Sequence, residues 1–370
     1  MIPVLRPTYD QKIEEELIKV LRSGWTGLGP KTTEFENKFA EKVGAKFAIG
    51  CNSGTTALDL CLKAYGIKGG ELITTPMTFV SDAIVGEWNG MDVTFADIEE
   101  DSLNLDPNAL HVTEKTKAII VVDSHGRLAD IDKIRDKATV NVESTGLVHH
   151  TPLIIEDCAH AMLTPGAGKK GDIAIWSFQA VKSMPIYDGG MITTNDEKIY
   201  KRLRTLTWLG IEKSTYERSE GKRYSWDYDI TQAEGVKGYM TDVQAIIGLC
   251  QLERLDELLG KRRAVQAYYN NAFKDIPEIK LPMYSDTVQY YTPQFERRDE
   301  LSDFLAHEGI STSVHFKPLS EMTYWKKAVK RPLPVTDRVW KKLLTLPVFH
   351  DLTWKEVEYI VSKVREFYGR

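Results

Sequence analysis

Three short segments carry residue types that could do chemistry together. The run LIIEDCAHA brings an apolar, strand-like stretch to a close on Asp157. A carboxylate at the end of a buried strand faces a crevice, where it is costly unless a cation meets it. Read alone, Asp157 suits a helix N-cap or a structural ion pair equally well. The segment WSFQAVKSMPIYDGGM sets Lys182 close behind a second apolar strand, ahead of an Asp188-Gly189-Gly190 turn. An amine in a dry site falls below its usual pKa of about 10.4 and becomes nucleophilic toward an aldehyde. A lysine after a strand is more often a plain surface residue, and only the pairing with Asp157 raises it. In CNSGTTALDL, Ser53-Gly54-Thr55 leads into a helix beginning near Thr56. Free amides, a glycine and flanking hydroxyls at a helix start can cup a phosphate; in isolation an ordinary capped helix explains them as well.

An amine for an aldehyde, an acid for a ring nitrogen and a cup for a phosphate together describe a site for pyridoxal 5'-phosphate (PLP). That cofactor needs an acidic partner on its pyridine nitrogen to act as an electron sink. By contrast, Gly27-Leu28-Gly29 has no strand leading into it and no third glycine at the right spacing. A dinucleotide-binding oxidoreductase is therefore supported only by alternating strands and helices.

The elements that must position these residues follow from hydrophobic periodicity. Residues 32–44 and 55–66 have helical spacing, and short β-branched runs recur at 72–75, 93–97, 118–124, 153–157, 174–178 and 191–195. Continuous apolar runs between helices predict a largely parallel sheet covered on both faces, with ligands at the carboxyl ends of its strands. A single long helix is expected over 241–274, then a strand at 288–295, a helix at 297–309, a strand at 310–316 and a closing amphipathic helix at 352–369. The stretch 134–152 fits no element and reads as an insertion. The expected division is a large α/β domain over 1–250 and a smaller α+β domain over 251–370.

Bulk properties narrow the field. The chain has 370 residues, 42% hydrophobic and 27% charged, with a formal net charge of −5. Nothing there calls for nucleic acid or an anionic membrane as partner. The amino terminus lacks an apolar signal core, no apolar run is long enough to span a bilayer, and the four scattered cysteines suit reduced, buried thiols in a cytoplasmic protein. The eight histidines show no metal-ligand spacing, and His149-His150 reads as a loop pair, so no metal is expected.

The order of motifs resembles the DegT/DnrJ/EryC1/StrS family of sugar-nucleotide aminotransferases, which have the type I PLP-dependent transferase fold. The resemblance spans about residues 20–350 and includes SGWTGLGPKTTEFENKFA (23–40), SGTTAL (53–58), TPMTFVSDA (75–83), EDCAHA (156–161), GDIAIWSFQAVK (171–182), DGGMITTND (188–196), MTDVQAIIGLCQLERL (240–255) and VHFKP (314–318). It implies that Lys182 carries the cofactor, Asp157 faces the ring nitrogen and His160 lies beside the ring. It also implies that Gly54, Thr55 and Ser177 bind the phosphate and that Phe79 stacks on the ring. Lys237 matches a residue that completes the phosphate site from a neighbouring subunit, so a homodimer with shared active sites is implied. His315 and Thr26 match positions near the substrate. The implied reaction moves an amino group, from L-glutamate by analogy, through pyridoxamine phosphate to a keto group of a nucleotide-linked deoxysugar. The family's usual Gly-Glu-Gly-Gly is Tyr187-Asp188-Gly189-Gly190 here, and a common histidine is Asp123, which puts sugar specificity in doubt. Lys182 argues against the relatives that have histidine there and act as dehydratases. A PLP enzyme of the same fold acting on an amino acid or cyclitol, with Arg297, Arg298 or Arg331 as a carboxylate clamp, stays open, as does a non-catalytic regulatory protein.

Overall fold

The computed structural model describes residues 1–139, 151–219 and 226–370. The chain opens with two helices, α1 (Gln11–Arg22) and α2 (Pro30–Val43). Asp10 caps the first through the Ile13 amide, and Gly44, at φ 70°, ends the second in a left-handed turn that a side chain would resist. Then come β1 (Phe47–Cys51), α3 (Gly54–Ala64), β2 (Glu71–Thr74), α4 (Ser81–Trp88), β3 (Asp92–Phe95), β4 (Thr116–Val122), α5 (Ile131–Ala138), β5 (Leu153–Asp157), β6 (Ile173–Ser177) and β7 (Gly190–Thr194). These strands form one sheet in the order β1-β7-β6-β5-β4-β2-β3. Helices cover both faces, and β5, β6 and β7 are buried at every position. The chain has a mixed α/β fold with a mostly parallel central sheet.

One strand departs from the parallel arrangement, within the largely parallel sheet expected. β7 pairs antiparallel with both β1 and β6. No helix separates it from β6, so the chain turns back beside the strand it has just left instead of crossing over the sheet. Two further helices, α6 (Glu197–Leu206) and α7 (Thr215–Ser219), follow.

The expected single helix over 241–274 is two, α8 (Asp242–Glu253) and α9 (Leu255–Phe273). Arg254 leaves the helical conformation at the junction and ion-pairs with Asp10 and Glu257. α8 packs against α1 and α2, whereas Val265, Tyr269 and Phe273 of α9 enter a different apolar core. The break lets one stretch of chain serve two directions.

Next are β8 (Ile279–Lys280), β9 (Gln294–Phe295), α10 (Arg298–His307), α11 (Pro334–Val339) and α12 (Trp354–Phe367). Only Gln294–Phe295 of the expected 288–295 strand is regular. Val288 sits at φ 48°, its amide donates to Ser285 Oγ and its carbonyl accepts from Arg262. Side chains thus take backbone groups that a ladder would need. The expected strand at 310–316 makes single bridges to two different neighbours, Ile310 to Ile2 and Ser313 to Thr345. Residues 134–138, expected to be irregular, belong to α5; most of the remaining insertion, with His149-His150, lies outside the described residues. Among the described residues no helix is long and apolar enough to cross a membrane.

Candidate active site

The carboxyl ends of β5 and β6, the start of α3 and the segment before α4 converge on a cavity of about 780 Å³. Its lining includes Gly54, Thr55, Phe79, Asp157, His160, Ser177, Lys182 and His315, so eight of the ten expected site residues meet there. A larger, more open hollow of about 1140 Å³ lies at the opposite strand ends, beside Lys117, Leu153 and Ile173. It holds none of the expected residues.

The phosphate end is built from backbone. Ser53 caps α3 by accepting from the Thr56 amide at 3.1 Å, which leaves the Gly54 and Thr55 amides ahead of the first intrahelical bond. Ser177, at the end of β6, closes the cup; a Cβ on Gly54 would come within 3.2 Å of it. Gly190 is the tightest point. A Cβ there would lie 2.5 Å from the Ser53 carbonyl oxygen, so β7 can run beside the cup only with glycine at its first residue.

At the other end, Asp157 is 4% exposed and accepts from the Ala159 amide at 2.8 Å. Burial raises its pKa, while the Ala159 amide, Asp82 and Lys182 pull the other way. Lys182 sits in the turn after β6, its amide donating to the Gln179 carbonyl at 2.8 Å. Burial brings its amine down to about 8, although Asp157 and Asp82 favour the charged form. Such an amine is partly unprotonated near neutral pH, which a nucleophile requires.

Rings wall the cavity. His160 lies face to face with Phe316, with centroids 5.8 Å apart, and burial and Lys182 hold it well below the usual imidazole pKa. His315 stacks on Tyr290 at 3.8 Å and shares a hydrogen bond with Thr345 Oγ1 through Nδ1. Burial, then Lys182, lowers its pKa to about 4. Both rings are therefore neutral at pH 7. Phe79 is 59% exposed at the cavity edge.

A sequence model described as the DegT/DnrJ/EryC1/StrS aminotransferase family matches residues 7–365. The chain belongs to this family. SpsC, a spore coat polysaccharide biosynthesis protein of Bacillus subtilis, is 35% identical to this DegT/DnrJ/EryC1/StrS chain over 99% of its length and 96% of SpsC's own. The sugar aminotransferase CalS13 from Micromonospora echinospora superposes with a TM-score of 0.87 at 28% identity, covering 99% of this chain and 100% of that one. Spr1654 from Streptococcus pneumoniae has been solved in PLP, pyridoxamine phosphate and apo forms. Its PLP form matches with a TM-score of 0.87 at 28% identity, covering 99% of this chain and 98% of that one.

Two expected residues of this aminotransferase lie elsewhere. Lys237 points its ammonium over the Trp208 ring, 5.9 Å from the centroid, and Thr26 lines a separate hollow of about 260 Å³ with Trp25, Trp208 and Tyr239. The backbone of Gly238 nevertheless runs beside the cup, its carbonyl accepting from the Asn52 amide at 2.8 Å.

Other residues at the site escaped sequence reasoning. Asp82, on α4, is fully buried against Asp157, and His125 packs its ring 6.0 Å from His160. Gln289 clamps the lysine turn, accepting from the Ser183 amide and hydroxyl at 2.9 Å and donating to the Val181 carbonyl at 2.9 Å. No spacing rule marks a glutamine 106 residues away. The TFVSDA segment could have suggested Asp82 only as a first-turn acid.

Proposed function

We propose that the chain is a PLP-dependent transaminase that carries an amino group from L-glutamate to a keto group of a nucleotide-linked deoxysugar, in the biosynthesis of amino sugars for polysaccharide or glycan. One observation carries this reading: Lys182, Asp157 and the cup of Gly54, Thr55 and Ser177 line a single cavity. The donor set suits the cofactor, with amides and a hydroxyl for a dianionic phosphate, a buried acid for the ring nitrogen, a low-pKa amine and the exposed ring of Phe79. When bound, PLP supplies an aldehyde that takes up amines and a protonated ring that accepts electron density.

The chain's own residues do the rest. Lys182 would hold the cofactor, and its Nζ, once free as an amine, would remove the proton from the donor's Cα. Asp157 keeps the ring nitrogen protonated, and the neutral His160 orients the ring. The imidazole and aromatic wall of His315, Tyr290 and Phe316 borders the cavity beside Lys182, where the water that releases the 2-oxo acid must also enter. In the second half-reaction the same Nζ moves the proton in the opposite sense, toward the sugar carbon.

A PLP enzyme specific for amino acids is the second reading. It wants an arginine to clamp a carboxylate bidentately, yet among the described residues no arginine lines the cavity. Arg297 pairs with Glu300, and Arg298 with Asp299 and the Leu343 carbonyl. The names of SpsC and CalS13 favour the sugar.

Lys237, Thr26 and the exposed Trp226, Tyr228 and Ile230 support a homodimer in which each chain completes its partner's site. Buried free cysteines support a cytoplasmic location. The separate apolar core around Tyr269, Tyr291 and Ile360 supports a smaller C-terminal unit over 251–370. The test of the reaction is to offer nucleotide-linked 3-keto and 4-keto sugars to the pyridoxamine form. Return of the PLP spectrum with one of them is expected; return with simple 2-oxo acids alone would end the nucleotide-sugar reading.

A further inference from the structure

Behind Asp157 stands a second acid. Asp82 lies in the first turn of α4 with 0% of its surface exposed. Its Oδ2 accepts from the Thr78 hydroxyl, while its Oδ1 is buried without a donor. The group facing it is the carboxyl of Asp157, which itself accepts the Ala159 amide. Two carboxylates in a dry wall cannot both ionise beside each other, and a buried oxygen without a partner is costly.

We propose that Asp82 holds a proton on Oδ1 and donates it as a hydrogen bond to Asp157, so that the pair presents a single negative charge to the cofactor's ring nitrogen. Asp82 is then a positioning residue: it fixes the orientation of Asp157 and holds its charge without touching the ring. The nitrogen contact rests on the function proposed above; the shared proton does not.

Both the unpartnered oxygen and the direction of the ionisation shifts put the proton on Asp82. Burial, then Asp157, raises Asp82 well above the carboxylate range, with Thr78 and Lys182 opposing, whereas Asp157 has the Ala159 amide, Asp82 and Lys182 all favouring its anion. The positive end of α4 also favours an ionised Asp82. That pull is weaker here than the repulsion of a second buried anion. Lys182 Nζ cannot neutralise both acids, because it must be released as a free amine during turnover. With Asp82 neutral, the charges of Asp157 and the ring nitrogen balance one to one.

The test compares Asp82→Asn, which keeps a donor that cannot ionise, with Asp82→Ala, which removes it. Infrared spectra of ¹³C-aspartate-labelled protein, with and without PLP, should show at neutral pH a protonated carboxyl stretch in the parent that Asp82→Asn lacks, while any band from the buried Asp123, whose carboxyl pKa burial also raises, persists in both. PLP affinity should fall about tenfold or more in Asp82→Ala, the scale of a hydrogen bond to a charged group, and be rescued to within about threefold by Asn. Parent and Asp82→Asn spectra with the same protonated carboxyl intensity overturn the proposal. So does an Asn variant that loses PLP as badly as Ala, because the site then needs a carboxylate and not a donor. Asp157→Ala separates the two layers: if it binds PLP like the parent, the functional reading falls, and the shared proton is still decided by the infrared band alone.

Discussion

Lys182 offers the most direct test at the scale of one side chain. Its amine titrates at about 8 because burial disfavours the ammonium. Below that pH the nucleophilic form falls tenfold per unit. The rate at which apoprotein captures PLP should therefore rise about tenfold per pH unit up to about 8 and then level off, followed by the cofactor's absorbance. A capture rate that kept climbing toward pH 10 would mean an amine of ordinary basicity. Lys182→Ala should abolish both the lysine-linked absorbance and turnover, and borohydride should label no other lysine in the parent. Gly190→Ala is a subtler probe. Its new Cβ would press 2.5 Å from the Ser53 oxygen and 2.7 Å from the Gly54 nitrogen, so the cup must shift. We expect a loss of about 1–3 kcal/mol in unfolding free energy and weaker retention of PLP in dialysis. Lys182 and Asp157 were legible from sequence because each ends or follows a continuous apolar run, where a polar side chain is conspicuous. Asp82 was not, since an acid in a first helical turn is an everyday capping feature and its burial depends on a strand far along the chain.

At the scale of elements, strands buried on both faces were readable, because such strands leave an unbroken apolar signature. The direction of β7 was not, since the same signature serves either orientation and the decision lies in the connection. The C-terminal strands were overcalled for a related reason: 288–295 and 310–316 alternate well enough to suggest ladders, but side chains such as Ser285 and Arg262 take up the Val288 backbone instead. One carboxylate joins elements distant in sequence. Asp97, just after β3, accepts from the Val335 amide at 2.8 Å and from the Thr336 amide and hydroxyl at 2.9 and 2.7 Å, capping α11. Asp97→Ala leaves those buried donors unmet and should cost about 2–4 kcal/mol, read as a lower urea midpoint with unchanged slope.

For the molecule as a whole, fold and family were legible from the order of motifs, and the shared homodimer site that the resemblance implies is a matter for experiment. Lys237 and Thr26 approach no cavity of their own chain that contains Lys182. If they serve a neighbour's cofactor, specific activity should drop on dilution in step with dissociation measured by analytical ultracentrifugation. Mixing Lys182→Ala with Lys237→Ala protein should restore some activity, because one of the two hybrid sites would be intact. Constant activity through dissociation would assign each site to one chain.

The Gln289 clamp has an implication for biosynthesis. The turn bearing the reactive amine is held by a residue 106 positions nearer the carboxyl terminus. A ribosome must therefore translate most of the gene before that turn acquires its support. Nascent chains released short of residue 289 should bind the vitamin poorly even with every residue proposed to contact the cofactor already made, which would tie maturation of the enzyme to near-complete synthesis.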